Sequence, residues 1–228
     1  STGNRLRTLE GHTDVVYCAK FSALDGTSVF SGSGDNTVIR WKVSDGARIM
    51  TYEEGHTRSI KSLAITSNDS KLITGSEDRA CIIWDVQSGA PLNFFTEHHG
   101  FIMTVSLSPC ERYFASGSQD KTTILWDIVK GKQVHVLADH ECGVDDVTFS
   151  GRHTLLTASS DQSAIEYDIS FILKDIPTRF ALIHALRPTH VDNEAPATPL
   201  RTSASRAYCT RNTFGAVRYL MCCLSRNI

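Results

Sequence analysis

The sequence predicts an all-β fold built from four repeated units, and three observations support this prediction. A twelve-residue block occurs four times, and the copies are SGSGDNTVIRWK (31 to 42), TGSEDRACIIWD (74 to 85), SGSQDKTTILWD (116 to 127) and TASSDQSAIEYD (157 to 168). The aromatic residues near the ends of successive blocks lie 43, 42 and 41 residues apart. A histidine precedes the Asp of every block by 21 to 23 residues. Chance does not produce four such alignments, so the chain repeats one structural unit.

Each unit is predicted to contain four short strands, and the first begins a few residues after the histidine. Its apolar residues fall four, seven and nine positions after that histidine; they are Val16, Ala19 and Phe21, then Ile60, Leu63 and Ile65, then Ile102, Val105 and Leu107, and finally Val144, Val147 and Phe149. A step of three residues followed by a step of two departs from the strict alternation of a regular strand. We therefore expect a β-bulge in the first strand of every unit.

The second and third strands correspond to the repeated block. The second ends in a Ser/Thr-rich stretch (SVFSGS, KLITGS, YFASGS, TLLTAS), and the third is largely β-branched and apolar up to the aromatic residue (TVIRW, ACIIW, TTILW, SAIEY), which is typical of a buried strand. Gly46, Gly89 and Gly131 stand five residues after the aromatic residue, where a tight turn into the fourth strand needs positive φ. The fourth unit has Ile172 at that position, so the pattern stops just after Ile169.

The repeat length, the Gly11-His12 pair and the Trp84-Asp85 and Trp126-Asp127 pairs resemble the WD40 repeat family. The resemblance implies a β-propeller with four recognisable blades, either a partial propeller or an open arc, over residues 1–169. The repeats would lie at about 10–52, 54–95, 97–137 and 139–169. In propellers of this family the outermost strand of one blade usually comes from the opposite terminus, and residues 4–9 are the candidate for that closing strand.

The number of repeats does not decide whether the blades form a closed ring. Propellers have about 4 to 8 blades, and rings of this family typically have about seven. Four sheets sized for such a ring would leave two exposed sheet faces. We expect a fragment or truncated product that missing blades would complete; an arc completed by self-association and a closed four-blade ring are the alternatives.

The His, Ser/Thr, Asp and aromatic residue of each unit form, by resemblance, a buried hydrogen-bond network. The four sets are His12, Ser31, Asp35 and Trp41; His56, Thr74, Asp78 and Trp84; His98, Ser116, Asp120 and Trp126; and His140, Thr157, Asp161 and Tyr167. One set alone could be read as a hydrolytic triad, but a catalytic site is needed once and these residues recur in every unit. A buried carboxylate must be paired and a buried indole N–H needs an acceptor, so we expect a structural role. Because Tyr167 replaces Trp, the fourth network is expected to be weaker or broken.

Residues 170–228 differ from the repeats and are predicted to be an irregular or disordered basic tail. The repeats carry 15 Lys and Arg against 22 Asp and Glu, a net charge of −7, whereas residues 169–228 carry 8 against 3, a net charge of +5. FILKDI (171 to 176) is a candidate strand or short helix, and FALIHAL (180 to 186) is a candidate helix. An aberrant translated segment is the alternative interpretation of this abrupt change.

Composition narrows the function classes. The sequence has no apolar run long enough to cross a bilayer and no secretory leader, so a cytoplasmic or nuclear location is expected. Seven cysteines without recurring spacing indicate reduced thiols rather than a disulfide framework or a zinc site. No phosphate-binding glycine loop occurs. We expect no cofactor, no metal and no small-molecule substrate.

The sequence predicts a non-catalytic WD40 scaffold or adaptor that binds proteins or peptides as a subunit of a larger complex. The contact candidates lie in and beside the loop after each histidine; they are Tyr17, Arg58, Lys61, Phe101 and Met103, with ordinary solvent-facing variation as the alternative. A propeller that binds nucleic acid or phosphoinositide lipid is a second hypothesis, which the net charge of −7 disfavours. An enzyme on a propeller frame is a third, and it lacks a polar cluster unique to one unit.

Overall fold

The computed structural model describes residues 3–171, which form fifteen β-strands and no helix. The strands are β1 Val16–Phe21, β2 Ser28–Ser33, β3 Val38–Lys42, β4 Arg48–Tyr52, β5 Ile60–Ile65, β6 Lys71–Ser76, β7 Cys81–Asp85, β8 Pro91–Phe95, β9 Ile102–Leu107, β10 Tyr113–Ser118, β11 Thr123–Asp127, β12 Lys132–Leu137, β13 Val144–Phe149, β14 Thr154–Ser159 and β15 Ala164–Asp168. No membrane-spanning helix occurs within this range. All but the first residue of the candidate element at 171–176, the candidate helix at 180–186 and the rest of the tail lie outside the described residues.

The strands form four antiparallel sheets in chain order, which we call blades 1 to 4. β1–β4, β5–β8 and β9–β12 are four-stranded, and β13–β15 form a three-stranded sheet within the described residues. Within each blade, strands that are consecutive in the chain pair with each other. The first strands of the blades, β1, β5, β9 and β13, lie side by side in that order. The predicted all-β partial propeller is confirmed, as an open arc of four blades.

Antiparallel connectivity gives the arc two distinct rims. The loops before β1, β5, β9 and β13 and the turns between the second and third strands lie at one end of the strands. We call this end the histidine rim because its loops contain His12, His56, His98 and His140. The turns between the third and fourth strands lie at the opposite rim, where Gly46, Gly89 and Gly131 have φ values of 77°, 75° and 63°, as predicted.

The bulge predicted in the first strand is confirmed in all four blades. The pairing of the first strand with the second shifts register between Val16 and Cys18 in blade 1 and between Ile60 and Ser62 in blade 2. Equivalent shifts occur near Ile102 in blade 3 and between Val144 and Asp146 in blade 4. The extra residue explains why the apolar positions follow steps of three and two.

The hydrophobic core lies between blades rather than within them. Three clusters fill the three joints: Phe30, Val38, Tyr52, Ile60, Leu63, Leu72, Ile82, Trp84 and Val86 between blades 1 and 2; Ile73, Cys81, Ile83, Phe95, Ile102, Val105, Phe114, Ile124, Trp126 and Ile128 between blades 2 and 3; and Tyr113, Ala115, Leu125, Val144, Val147, Leu155 and Ile169 between blades 3 and 4. A blade therefore buries most of its apolar side chains by stacking on a neighbour.

Close approach of the blades depends on a glycine in the second strand. A Cβ atom at Gly75 would lie 2.7 Å from a methyl carbon of Ile102 and 2.9 Å from one of Val105, both in the next blade. A Cβ atom added at Gly32 or at Gly117 would likewise lie 2.8 Å from a side-chain carbon of the next blade. The equivalent residue of blade 4 is Ala158. A blade packed on the outer face of blade 4 would therefore meet a Cβ atom at the position where blades 1 to 3 have none.

The two ends of the arc expose residues at positions that are buried in other blades. In blade 1, Val16 and Phe21 are 49% and 64% exposed, whereas Ile60, the counterpart of Val16 in blade 2, is fully buried. In blade 4, the third strand carries the exposed Glu166 where blade 2 has the fully buried Ile83. Blade 1 thus ends in an apolar face, and blade 4 in a more polar one.

The prediction that residues 4–9 form a closing strand is wrong. Residues 3–15 contain no strand, and β15 has a pairing partner on one side only within the described part of the chain. Arg7 instead donates hydrogen bonds to the carbonyl oxygens of Val43 and Ser44, in the turn of blade 1 at the opposite rim. These bonds fix the segment to the blade that follows it in the chain.

Acidic side chains clamp neighbouring blades at the opposite rim. In blade 2, Asp69 accepts hydrogen bonds from the backbone N–H groups of Ala23 and Leu24 in blade 1, at 2.8 and 3.4 Å. In blade 3, Glu111 accepts from the N–H of Ser67 in blade 2. Within residues 3–171 the third joint has no such clamp, because the equivalent loop of blade 4 (150–153) contains no acidic residue and Pro109 of blade 3 lacks the N–H that Ser67 supplies.

We expect Gly75→Ala to lower the free energy of unfolding by about 1–3 kcal/mol, because the added methyl group collides with Ile102 and Val105. The matched control is Ala158→Gly, which changes the equivalent position where no blade is packed in the described structure and should shift stability by less than about 1 kcal/mol. Urea unfolding measures both. Equal effects would show that the glycine does not set the distance between blades.

Candidate functional site

A chain of hydrogen bonds links each loop of the histidine rim to the centre of its blade. In every blade the histidine Nδ1 lies 2.8 Å from the Oδ2 of the Asp in the turn. The histidine Nε2 lies 2.7 to 2.8 Å from the Ser or Thr hydroxyl of the second strand. Since a carboxylate only accepts, Nδ1–H donates to it, and Nε2 then accepts from the hydroxyl. We call this arrangement the relay.

Tryptophan completes the relay in three blades. The indole Nε1–H of Trp41, Trp84 and Trp126 donates to the same hydroxyl, at 2.7, 2.9 and 2.8 Å. The hydroxyl therefore donates to the imidazole and accepts from the indole, which satisfies two buried polar groups at once. The structure brings all four members of these three sets together.

Blade 4 keeps the first part of its relay and changes the last. His140 lies 2.8 Å from Asp161 and 2.7 Å from the hydroxyl of Thr157, as in the other blades. Burial, with the nearby carboxylate of Asp139, raises the pKa of Tyr167 to about 12. The substitution of Trp by Tyr thus places a phenol beside a carboxylate while the His, Thr and Asp contacts stay intact.

Each relay carboxylate also accepts backbone N–H groups from the loop and from its own turn. Asp35 accepts the N–H of Thr13 at 2.9 Å and that of Thr37 at 3.0 Å. Burial acts to raise the pKa of Asp35, but the hydrogen bonds from Thr37, Thr13 and His12 outweigh it and lower the pKa to about 2. The ionised form is therefore the one that the fold requires.

The pKa values of the other three relay carboxylates are also lowered. At Asp78 and Asp120 burial opposes ionisation, and the hydrogen bond from the imidazole is the largest of the interactions that lower the pKa. The pKa of Asp161 is lowered chiefly by the hydroxyl of Ser163. Sequence reasoning missed this extra hydroxyl two residues after the Asp, although Thr37, Thr122 and Ser163 recur at that spacing.

Four of the five candidate contact residues form two pairs along the histidine rim, and each pair crosses from one blade to the next. The Lys61 Nζ lies 3.4 Å from the ring centroid of Tyr17 and 2.7 Å from the Oε1 of Glu77. The Arg58 guanidinium lies 6.0 Å from the ring centroid of Phe101. Arg58 is exposed, whereas the side chain of Lys61 is only 15% exposed. Met103, at the position of Lys61 in the next blade, is partly buried.

No single blade stands out as a reaction centre among residues 3–171. The His, hydroxyl and Asp groups occur once per blade with the same geometry, and each hydroxyl is occupied within its relay. No cluster of three metal-ligating side chains occurs in this range. Cys18, Cys81, Cys110 and Cys142 are free thiols. Burial raises the pKa of the Cys81 thiol, and this disfavours the reactive thiolate.

Comparison with known proteins identifies the repeated unit. The family model described as WD domain, G-beta repeat matches residues 3–42, 46–85, 89–127 and 131–168. A WD repeat-containing protein of Schizosaccharomyces pombe is 36% identical over 86 residues, which cover 36% of this chain and 23% of that protein. The guanine nucleotide-binding protein subunit beta-2 of Nicotiana tabacum is 34% identical over 110 residues, which cover 45% of this chain and 29% of that protein. The four matches of the family model confirm the four repeats predicted from the sequence.

Solved structures confirm the fold. The structure of U3-55K matches with a TM-score of 0.65 at 22% identity and covers 71% of this chain and 54% of that chain. The RRP9 WD40 repeats match with a TM-score of 0.64 at the same identity, covering 71% and 53%. The aligned part of the chain thus spans about a quarter of the two curated relatives and about half of the solved chains.

We expect Thr74→Val to destabilise the protein more than Thr157→Val, by about 1 kcal/mol or more. The first change removes the partner of both His56 and Trp84, and the indole is too deeply buried to reach water. The second change costs less, because the aromatic residue of blade 4 is Tyr167, whose half-buried phenol keeps Asp139 as a neighbour. Both substitutions keep the β-branched shape. Urea unfolding of the two variants tests the order, and a reversed order would contradict the assigned role of the hydroxyl.

The lowered pKa values predict loss of stability in acid. Because the folded-state pKa of Asp35 is about 2 against an ordinary value of 3.8, its contribution is complete above 3.8 and is lost as the pH falls towards 2. The pKa values of Asp78, Asp120 and Asp161 are also lowered, so these carboxylates likewise lose their contribution to stability in acid. Unfolding midpoints measured across this range should fall with pH, and Asp120→Asn should make the fall shallower while lowering stability at neutral pH. An unchanged slope would contradict this linkage.

Proposed function

Because the chain belongs to the WD40 repeat family, we propose that it is a non-catalytic scaffold whose histidine rim binds segments of other proteins. The observation that carries the proposal is the contrast between the relay and the side chains around it. The relay repeats in four blades with nearly constant distances, whereas the residues five positions after each histidine are Tyr17, Lys61, Met103 and Asp145. A fixed frame with variable rim residues suits recognition of a partner.

The rigidity of the rim supports this proposal. Each loop is fixed by hydrogen bonds from its backbone and its histidine to a carboxylate in the adjacent turn. A preformed surface loses little conformational freedom when it binds, so more of the contact energy becomes affinity. The contact candidates Tyr17, Arg58, Lys61, Phe101 and Met103 lie on or beside these fixed loops.

The ends of the arc support a place in a larger assembly. The exposed Val16 and Phe21 belong to a sheet face that is buried in blades 2 to 4. A further sheet, from additional blades, a second copy or another subunit, would bury this face, and we therefore propose that the protein acts as one component of a complex. A cytoplasmic or nuclear location remains our expectation. Likewise, the repeat limits inferred from the sequence remain a proposal.

A photo-crosslinking amino acid placed at Met103 tests where partners bind, with the same residue at Val129 as the matched control. Val129 is 80% exposed and lies at the opposite rim. We expect discrete crosslinked products from position 103 in a cell extract, and we expect excess unmodified protein to abolish them. Equal products from both positions, or none from position 103, would contradict binding at the histidine rim.

A further inference from the structure

Residues 4–9 lie against blade 1 as a fourth strand lies against the blade that follows it. A Cβ atom added at Gly89, in the turn before the fourth strand of blade 2, would lie 2.9 Å from the sulfur of Met50 in the fourth strand of blade 1. A Cβ atom added at Gly46, in the same turn of blade 1, would lie 2.6 Å from the Cδ of Arg7. Residues 4–9 thus occupy the place of a fourth strand, although they pair with no strand in the described part of the chain.

Blade 4 offers a free edge to such a segment. Its sheet ends at β15, which has a pairing partner on one side only within residues 3–171. In blades 2 and 3 the residue before the tryptophan pairs with the residue five positions before the next histidine. The same register would place Arg7 directly opposite Glu166 of β15. Because residues 4–9 and β15 lie at opposite ends of the open arc, this pairing requires two chains.

The two strands of this pair carry opposite charges. Residues 4–9 contain two arginines and no carboxylate, whereas β15 contains two carboxylates and no Lys or Arg. Glu10 follows the segment and lies beyond the end of β15 in this register. Within residues 3–171 neither Arg7 nor Glu166 forms an ion pair. Pairing across the two strands would compensate both charges.

The sizes of the facing side chains also match. A Cβ atom added at Gly117 would lie 2.8 Å from methyl carbons of both Val144 and Val147 in the next blade. Blade 4 has Ala158 in place of that glycine, and blade 1 has Ala19 in place of Val147. Because Ala19 has no γ-carbon, one of the two close contacts disappears when blade 4 packs on blade 1. The larger residue of blade 4 thus faces a smaller residue of blade 1.

Both faces also expose apolar side chains. Val16 and Phe21 are 49% and 64% exposed on the end of blade 1, which we call the blade 1 face. On blade 4, Leu156 pairs with Glu166 and is 37% exposed, whereas its counterpart in blade 2, Ile73, is fully buried. Burial of these side chains would stabilise the contact between the two faces.

We propose that blade 4 of one copy packs on the blade 1 face of a second copy, and that residues 4–9 of the second copy add to β15 as a fourth strand. Two such joints connect two chains into a closed ring of eight blades, a number within the range of known propellers. The proposal rests on the proposed place in a larger assembly and specifies a second copy as the occupant of the blade 1 face.

Sedimentation equilibrium of the full chain at rising concentrations tests the ring. We expect twice the mass of one chain and no larger species. Phe21→Asp should raise the dissociation constant of the dimer about 10-fold or more, and Val129→Asp, at an 80% exposed residue of the opposite rim, should change it less than about twofold. A monomer, a series of growing oligomers, or equal effects of the two substitutions would overturn the proposal.

Charge reversal tests the strand pairing itself. Arg7→Glu and Glu166→Arg should each raise the dissociation constant about 10-fold or more, because like charges then face each other at both joints. An equimolar mixture of the two variants should form mixed dimers as stable as the wild type, since both joints again have opposite charges. Arg48→Glu, at an exposed residue of β4, is the control and should change the dissociation constant less than about twofold.

A mixture that forms no mixed dimers would overturn the proposal, because loss of a contact within one chain cannot be restored by a second variant chain. An effect of Arg48→Glu as large as that of Arg7→Glu would also overturn it. These outcomes leave binding at the histidine rim intact, since crosslinking from position 103 tests that function separately.

Discussion

One hydroxyl group in the second strand of each of the first three blades has to satisfy two buried neighbours. In blades 1 to 3 it donates to an imidazole and accepts from an indole, both of which would be costly to bury alone. The imidazole in turn is oriented by a carboxylate, which the loop and turn backbones hold in its ionised form. The positions of the loops at the histidine rim therefore depend on contacts made deep within the sheet. This dependence makes the rim a fixed surface on which other residues can vary.

Stacking of the blades imposes the second constraint on the chain. Gly32, Gly75 and Gly117 leave room for the first strand of the next blade, and the three interblade cores form around these contacts. Ala158 occupies this position in blade 4, and Glu166 lies on the same sheet in place of an apolar residue. The two ends of the arc are thus chemically different, with an apolar face on blade 1 and a more polar one on blade 4. A neighbouring sheet is better suited to the blade 1 end.

The repeat pattern was sufficient to predict the strands, the bulges and the glycine turns, because each depends on local spacing within a unit. It was not sufficient for contacts between blades. The clamps made by Asp69 and Glu111 join residues more than 40 positions apart, and nothing in one unit marks them. The failed closing strand has a similar cause: residues 4–9 resemble the fourth strands locally, but Arg7 bonds to blade 1.

Hydrogen exchange of the indole Nε1–H groups, followed by NMR, tests the relay most directly. The chain contains three tryptophans, so three indole signals report on blades 1, 2 and 3 separately. The account predicts that the Nε1–H groups of Trp84 and Trp126 exchange as slowly as the backbone amides of β7 and β11. Exchange of these indole groups at the rate of an unfolded chain, while those amides stay protected, would show that the hydroxyl does not hold the indole and would contradict the account.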